Sequence, residues 1–186
     1  MNVNADFIDH KNSILMIVDI QQVMFDLCID KTGVREKIEA LIDLAGILKL
    51  PVIPTEHNPE RLGGFLPDLL ERASAKALNK IEFGCLENGR IREAVENSGR
   101  KSIILAGIES HVCIFQTGAQ AIQQGYHVHL VSDAVSARSQ SNLMVGLNRL
   151  EQAGAVVTST EMLIFELLKK AGTDNFRKAL PIIKRL

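Results

Sequence analysis

Cys113 has the clearest potential for chemistry in this sequence. It follows a short, isoleucine-rich apolar run at residues 102–106 that ends at Gly107 and is typical of a buried strand. A helical repeat of apolar residues comes next, with Ser110 as the predicted N-cap: Val112, Phe115, Ala119 and Ile122. A helix N-terminus favours a thiolate, and its free N–H groups can bind a developing oxyanion. Cys113 is therefore either a nucleophile or, like most free cysteines, a small buried hydrophobe, and this stretch alone favours neither.

Two other charged side chains occur where a site could form. Asp19 lies at the carboxyl end of an apolar run at residues 13–20, and a buried carboxylate there would need a partner. A strand-end cap and a catalytic acid or base explain Asp19 equally well. Lys80 lies between apolar neighbours in a brief extended segment at residues 77–83. Taken alone, that segment predicts an exposed surface lysine.

Strands and helices alternate along the whole chain. The strands predicted at residues 13–19, 102–107 and 127–131 are short and continuously apolar, which is typical of a parallel sheet covered by helices on both faces. We therefore predict a three-layer α/β/α fold with a mainly parallel central sheet of the Rossmann-like type. Ligands in such folds bind outside the carboxyl ends of the strands. Asp19, Cys113, Asp133 and the loop at residues 55–64 are all predicted to lie there.

Composition limits the classes of function. The chain has 186 residues, 46% of them hydrophobic, with a net charge of −1. We predict a single domain over residues 1–186, and neither a nucleic acid nor an anionic membrane as its principal partner. The polar first residues do not resemble a signal peptide, and the longest apolar run, residues 14–18, is too short to cross a bilayer. Three cysteines without metal-binding spacing favour a reducing compartment, so we expect a cytoplasmic protein.

Three blocks in order resemble a known family. They are Ile17-Val-Asp-Ile-Gln21, Asn79-Lys-Ile-Glu-Phe83 and Ala106-Gly-Ile-Glu-Ser-His-Val-Cys113, and Val131-Ser-Asp-Ala-Val-Ser-Ala-Arg138 adds a fourth similarity. Each block alone is weak, but together they are specific. The chain resembles the isochorismatase-like cysteine hydrolases, and most closely their uncharacterised isochorismatase-domain branch.

The resemblance implies a catalytic triad of Asp19, Lys80 and Cys113. Cys113 would attack the substrate, Asp19 would take the thiol proton and later return it to the leaving amine, and Lys80 would stabilise both. It also implies a cis peptide bond between Ile108 and Glu109. That bond would aim the Glu109 N–H, together with the Cys113 N–H, at the substrate oxygen as an oxyanion hole.

Two departures from the family pattern narrow the expected activity. Nicotinamidases bind a divalent metal through an Asp-x-His motif and a second His, whereas the corresponding loop here, Pro54-Thr-Glu-His-Asn-Pro59, has His57 alone. We therefore expect no metal and no cofactor. The isochorismate-cleaving members lack the cysteine, so Cys113 favours acyl transfer through a thioester, with cleavage of an amide or carbamoyl C–N bond in a small molecule.

Other polar and aromatic residues have weaker assignments. Gln21, Phe25, His57 and Phe83 are candidate pocket residues, although core packing explains the two aromatics equally well. We interpret Cys28 and Cys85 as buried or incidental thiols and His111 as an exposed or subunit-contact residue. His127 and His129 alternate on one strand face but lack a third ligand, which favours packing or surface roles.

Two other functions compete with the hydrolase. One is a binding or scaffold protein that retains the fold without catalysis. The other is a redox protein in which Cys85 resolves an oxidised Cys113, which requires the two sulfurs within bonding distance.

We also expect a homo-oligomer, a dimer or tetramer, to which the apolar segments at residues 162–168 and 180–183 could contribute.

Overall fold

A six-stranded parallel sheet forms the centre of the protein. The computed structural model describes residues 7–186. Its strands are β1 (Ser13–Val18), β2 (Val52–His57), β3 (Leu78–Lys80), β4 (Ser102–Gly107), β5 (His127–Val135) and β6 (Val156–Thr158). Their order is β3-β2-β1-β4-β5-β6, and every neighbouring pair is parallel. The order reverses between β1 and β4, which is where ligands bind in folds of this type.

Helices connect the strands and cover both faces of the sheet. Within the described part of the chain they are α1 (Gln22–Phe25), α2 (Lys31–Leu48), α3 (Pro59–Leu62), α4 (Pro67–Ala73), α5 (Gly89–Asn97), α6 (Phe115–Gln123), α7 (Gln140–Gln152), α8 (Thr160–Leu168) and α9 (Asp174–Ile183). Short 3₁₀ turns occur at His10–Asn12 and Cys85–Glu87, and a π-helical turn at Ser110–Ile114. Among residues 7–186, no helix has the length and apolar character needed to cross a membrane.

The side chains of the sheet alternate between two separate hydrophobic cores. Leu15 and Ile17 of β1 pack in one core with buried residues of α2, α8 and α9. Ile14 and Met16, their neighbours in sequence, pack in the other with residues of α5, α6 and α7. Because successive strand residues point to opposite faces, continuously apolar strands require cover on both sides. The predicted three-layer α/β/α fold with a parallel sheet is confirmed.

Several local predictions were wrong. β5 continues to Val135, so Asp133 lies inside the strand, where its Oδ1 accepts hydrogen bonds of 2.8 Å from both the N–H and the hydroxyl of Thr160. Asp133 therefore anchors the first residue of α8 and does not reach the candidate site. Ser110 is not an N-cap: it is buried in the π-helical turn, and its hydroxyl donates to the Asn142 carbonyl at 3.3 Å.

Candidate active site

Asp19 follows the last residue of β1. Its backbone is left-handed, with φ of 56°, and its N–H bonds to the Thr55 carbonyl of β2 at 3.0 Å. Asp19 is 5% exposed, and both of its carboxylate oxygens are hydrogen-bonded. Oδ1 accepts from the Thr55 hydroxyl at 2.9 Å, and Oδ2 accepts from the Lys80 ammonium at 2.5 Å. The carboxylate thus has the partners that a buried charge requires.

Lys80 is the last residue of β3, an edge strand paired with β2. It is 1% exposed, so the surface position suggested by its local sequence is wrong. Besides its ion pair with Asp19, its Nζ lies 3.7 Å from the Cys113 Sγ and 3.4 Å from the Phe83 carbonyl oxygen. The ammonium therefore links the carboxylate of one segment to the sulfur of another, and the three residues of the predicted triad lie together.

Cys113 lies in the π-helical turn at the carboxyl end of β4. The turn depends on two close backbone approaches. Gly107 has a φ of 122°, and a Cβ there would lie 2.1 Å from the Val18 carbonyl oxygen, so only glycine fits. A Cβ on Gly146 of α7 would lie 2.6 Å from the Ser110 carbonyl carbon. These glycines let β1 and α7 hold the segment that carries Cys113.

The surroundings of Cys113 favour a neutral thiol in the free protein. Burial raises the pKa of Cys113, the negative charge of Asp19 and a hydrogen bond to its side chain raise it further, and the Lys80 ammonium opposes them without prevailing. Burial by itself lowers the pKa of Lys80, but the charge of Asp19, aided by Cys85 and Cys113, outweighs it and the net shift is upward. These effects on the pKa oppose the thiolate that a helix N-terminus would favour. Activation of the sulfur requires that its proton be transferred.

The peptide bond between Ile108 and Glu109 is cis. The Glu109 carbonyl accepts the N–H groups of Val112 and Ile114, whereas no backbone hydrogen bond in residues 7–186 uses the Glu109 N–H. The Glu109 side chain is 7% exposed, and its carboxylate pairs with Arg138, whose Nε lies 3.0 Å from Oε1.

A cavity of about 360 Å³ opens at these residues, at the small end of the range usual for ligand pockets. Its lining comprises Asp19, Gln21, Met24, His57, Leu62, Phe83, Ile108, Glu109, Val112, Cys113 and Arg138. The ring of His57 stacks on that of Phe83, with 5.2 Å between the centroids. Phe25 is not among the lining residues, because it is 4% exposed and packs in the core.

Gln21 has a structural task in addition to lining the cavity. Its Nε2 donates to the carbonyls of His57, at 3.0 Å, and Gly63, at 2.5 Å, and its Oε1 accepts the His57 N–H at 2.7 Å. This amide thereby fastens the end of β2 to the loop after α3. A glutamine two residues after Asp19 thus holds one wall of the cavity in place.

Sequence reasoning missed two features of the site, the role of Thr55 and the pairing of Arg138 with Glu109. Thr55 looked like a loop residue, but it lies in β2 and bonds Asp19, and its Oγ1 is 3.7 Å from the fully buried Cys85 Sγ. Arg138 and the Glu109 carboxylate were not expected to pair at the cavity. The similarity of residues 131–138 to the family was the only available signal for Arg138.

Residues 7–186 contain no group of three or more His, Cys, Asp or Glu side chains arranged to hold a metal ion. All three cysteines are free and buried. The functional groups that line the cavity are thus the Asp19 carboxylate, the Cys113 thiol and the Glu109–Arg138 pair. The Lys80 ammonium contacts the first two without being a lining residue itself.

Comparison with known proteins identifies the family of the chain. A family model described as the isochorismatase domain matches residues 13–162. The chain belongs to this family. It is 35% identical, over 93% of its length and 85% of the relative's, to the secreted isochorismatase effector Isc1 of Phytophthora sojae. Its cellular location therefore stays a prediction, because a relative of similar length is described as secreted.

Two solved structures are also similar. One is the MAR1 ribonuclease of Caenorhabditis elegans, with 31% identity, a TM-score of 0.89, and coverage of 95% of this chain and 92% of the other. The second is the YcaC gene product of Escherichia coli, described as an octameric hydrolase of unknown specificity. That structure covers 97% of this chain and 94% of its own, with a TM-score of 0.88, but at 24% identity it shows the fold alone.

Proposed function

We propose that this protein is a cysteine hydrolase that cleaves the C–N bond of a small amide or carbamoyl compound through a thioester on Cys113. The observation that carries the proposal is the buried chain of contacts from Thr55 through Asp19 and Lys80 to Cys113. A scaffold protein has no need of an ion pair buried beside a thiol, because burying charges costs free energy that a well-packed apolar pair would not.

The chemistry proceeds in two balanced halves. Asp19 accepts the proton of the Cys113 thiol as the sulfur attacks the substrate carbonyl carbon, and the carbonyl oxygen becomes an oxyanion. The N–H groups of Glu109 and Cys113 bind that oxygen. Collapse of the tetrahedral adduct breaks the C–N bond, and Asp19 returns its proton to the leaving nitrogen.

Water completes the cycle. Asp19 takes a proton from a water molecule, whose oxygen attacks the thioester carbonyl carbon. When the C–S bond breaks, Asp19 protonates the departing sulfur, so the acid is released and the thiol is restored. Lys80 keeps its proton throughout and balances the charge of whichever group, Asp19 or Cys113, is negative. Its upward-shifted pKa suits that task.

The ribonuclease name of the Caenorhabditis elegans relative is not the function we propose here. Phosphodiester binding depends on Lys and Arg contacts to phosphate. This chain has a net charge of −1, and within residues 7–186 Arg138 is the one Lys or Arg side chain that lines the cavity. A small uncharged or singly charged amide suits a cavity of about 360 Å³ better than a polynucleotide does.

The test is turnover of a panel of primary amides, carbamoyl compounds and ureides, with ammonia release as the readout. We expect acylation of the peptide that contains Cys113, detected by mass spectrometry after acid quenching, and loss of both adduct and turnover in Cys113→Ala. The matched control is Cys28→Ala, which removes another buried thiol outside the cavity lining.

Other outcomes would select a different function. Full turnover by Cys113→Ala would refute the nucleophile, and a protein that neither acylates nor turns over any member of the panel would favour a binding role. A Cys85–Cys113 disulfide formed with hydrogen peroxide, in the absence of any hydrolysis, would favour redox sensing. Light scattering tests the expected homo-oligomer, and a monomer-sized particle would contradict it.

A further inference from the structure

We propose that Arg138 determines substrate specificity by binding a carboxylate at the far end of the substrate's acyl chain. The inference rests on the proposed amide hydrolysis and adds the class of substrate. In this assignment the substrate is the monoamide of a short dicarboxylic acid, with its amide carbon at Cys113 and its carboxylate at Arg138.

Arg138 is held at the cavity by hydrogen bonds from its backbone N–H and its Nε to Glu109. It follows β5, and its backbone N–H and Nε donate to the Glu109 Oε2 at 3.2 and 3.1 Å. Main-chain and side-chain donors of one residue thus bind the same carboxylate. This double attachment restricts where the guanidinium can lie, so less conformational entropy is lost when a ligand binds it.

The two Nη groups of the Arg138 guanidinium are available to bind a ligand. Within residues 7–186 neither Nη group makes a hydrogen bond, since the hydrogen bonds of Arg138 come from its backbone N–H and its Nε. The Arg138 side chain is 53% exposed, whereas that of Glu109 is 7% exposed. A ligand that enters from solvent therefore meets the guanidinium before the carboxylate. The planar Nη pair matches the two oxygens of a carboxylate.

The remaining lining defines what lies between the two polar ends. Met24, Leu62, Ile108 and Val112 supply an apolar surface in the same cavity. The Asp19 carboxylate is paired with the Lys80 ammonium, so the base of the cavity offers no unpaired charge to an anion. A substrate with an amide, a methylene segment and a terminal carboxylate would complement each of these parts.

A homologous series tests the assignment on the wild-type protein. The monoamides of malonic, succinic, glutaric and adipic acids are compared with the neutral amides of equal chain length that end in a methyl group. We expect kcat/KM to be at least about tenfold higher for the anionic members at one best chain length. Equal or better turnover of the neutral series would overturn the proposal.

Variants separate direct contact from general charge effects. Arg138→Gln is expected to raise KM at least about tenfold for the best anionic amide and to leave its kcat within about twofold, with little change for the neutral amide. Arg138→Lys should retain part of the preference. The matched control is Arg90→Gln, which removes the same charge from an exposed arginine outside the cavity.

Loss of Arg138 also leaves the Glu109 carboxylate unpaired, and that charge would repel an anion. The double variant Glu109→Gln/Arg138→Gln removes both charges. If the anionic preference is still lost, the guanidinium itself binds the carboxylate; if the preference returns, repulsion by Glu109 was the cause and the proposal is wrong.

Binding measured without turnover separates this inference from the proposed function. Cys113→Ala cannot be acylated, so calorimetric titration of that variant with the best anionic amide reports binding alone. We expect at least about tenfold weaker binding when Arg138→Gln is added. Binding that depends on Arg138 without any hydrolysis by the wild type would refute the hydrolase and retain the carboxylate site. Hydrolysis with no effect of Arg138 would refute only the site.

Discussion

Replacement of Lys80 by Met should reveal how strongly the fold depends on the ion pair of the site. The Lys80 side chain is fully buried and its Nζ lies 2.5 Å from the Asp19 Oδ2. Lys80→Met leaves a buried carboxylate that has lost its ammonium partner and still accepts from the Thr55 hydroxyl. Breaking a buried pair on one side costs about 3–5 kcal/mol. This is a large part of the 5–15 kcal/mol by which a typical domain is stable.

A double-mutant cycle separates the coupling from the loss of each side chain. Asp19→Asn keeps an oxygen that can accept from Thr55 but removes the charge, so the double variant Asp19→Asn/Lys80→Met contains no unpaired ion. We expect it to be more stable than the sum of the two single changes predicts, by about 2 kcal/mol. The protein has no Trp and one Tyr, so urea unfolding is best followed by circular dichroism.

Two further results would check the same reasoning. The raised pKa of Lys80 means that its ion pair contributes stability that is complete below 10.5 and is lost as pH rises through the folded-state value. The penalty of Lys80→Met should therefore shrink at strongly alkaline pH. Additivity of the two single changes within about 0.5 kcal/mol would refute the coupling, as would a penalty for Lys80→Met below about 1 kcal/mol. Cys113→Ser, which removes the sulfur but no charge, serves as the control.

Two other substitutions and one alkylation experiment test the neighbouring contacts. Thr55→Val removes the hydroxyl that bonds Asp19, so kcat should fall at least about tenfold while Thr55→Ser retains most activity; equal rates for both would contradict the role of the hydroxyl. Gly146→Ala places a methyl group against the Ser110 backbone, so the free energy of unfolding in urea should fall by about 1–3 kcal/mol and turnover should be lost. An unchanged urea midpoint would show that α7 moves to accommodate the methyl group. Because its pKa is raised above 9.0, Cys113 of the free protein should be alkylated slowly by iodoacetamide at pH 7 and faster with rising pH, and a rate that is flat from pH 6 to 9 would show a thiolate.

The sheet could be predicted from the sequence because its strands are local signals. Continuous apolar runs require cover on both faces, and alternation with helices requires parallel strands, so layers and class follow without knowledge of distant contacts. The order of the strands depends on which buried edges pair, and no residue pattern within one strand encodes that. The end of β5 was misplaced for a related reason. Ser132 and Asp133 look like loop residues, but they continue the strand and bond Thr158 and Thr160.

The site was less accessible to local reasoning than the sheet. Lys80 is 61 residues from Asp19 in sequence, and its burial results from that partner and not from its own neighbours. Only the resemblance to a family brought the two together with Cys113. Thr55 and Arg138 carry no comparable local signal, because each acquires its role through a contact made after folding. The π-helical turn likewise depends on Gly146, which comes from a different helix.

Asp19 has two effects on Cys113: it raises the pKa of the thiol, and we propose that it also removes the thiol proton. Burial and the charge of Asp19 raise the pKa of the Cys113 thiol, so we expect slow reaction with electrophiles that do not occupy the cavity. In the proposed mechanism, the carboxylate that raises the pKa of the thiol is also the base that removes its proton once a carbonyl carbon is in reach. Lys80 contacts both groups, so the negative charge can pass from Asp19 to the sulfur without leaving the ammonium. The proposed mechanism thereby couples attack to proton transfer, and we expect reactivity to depend on a substrate that fills the cavity.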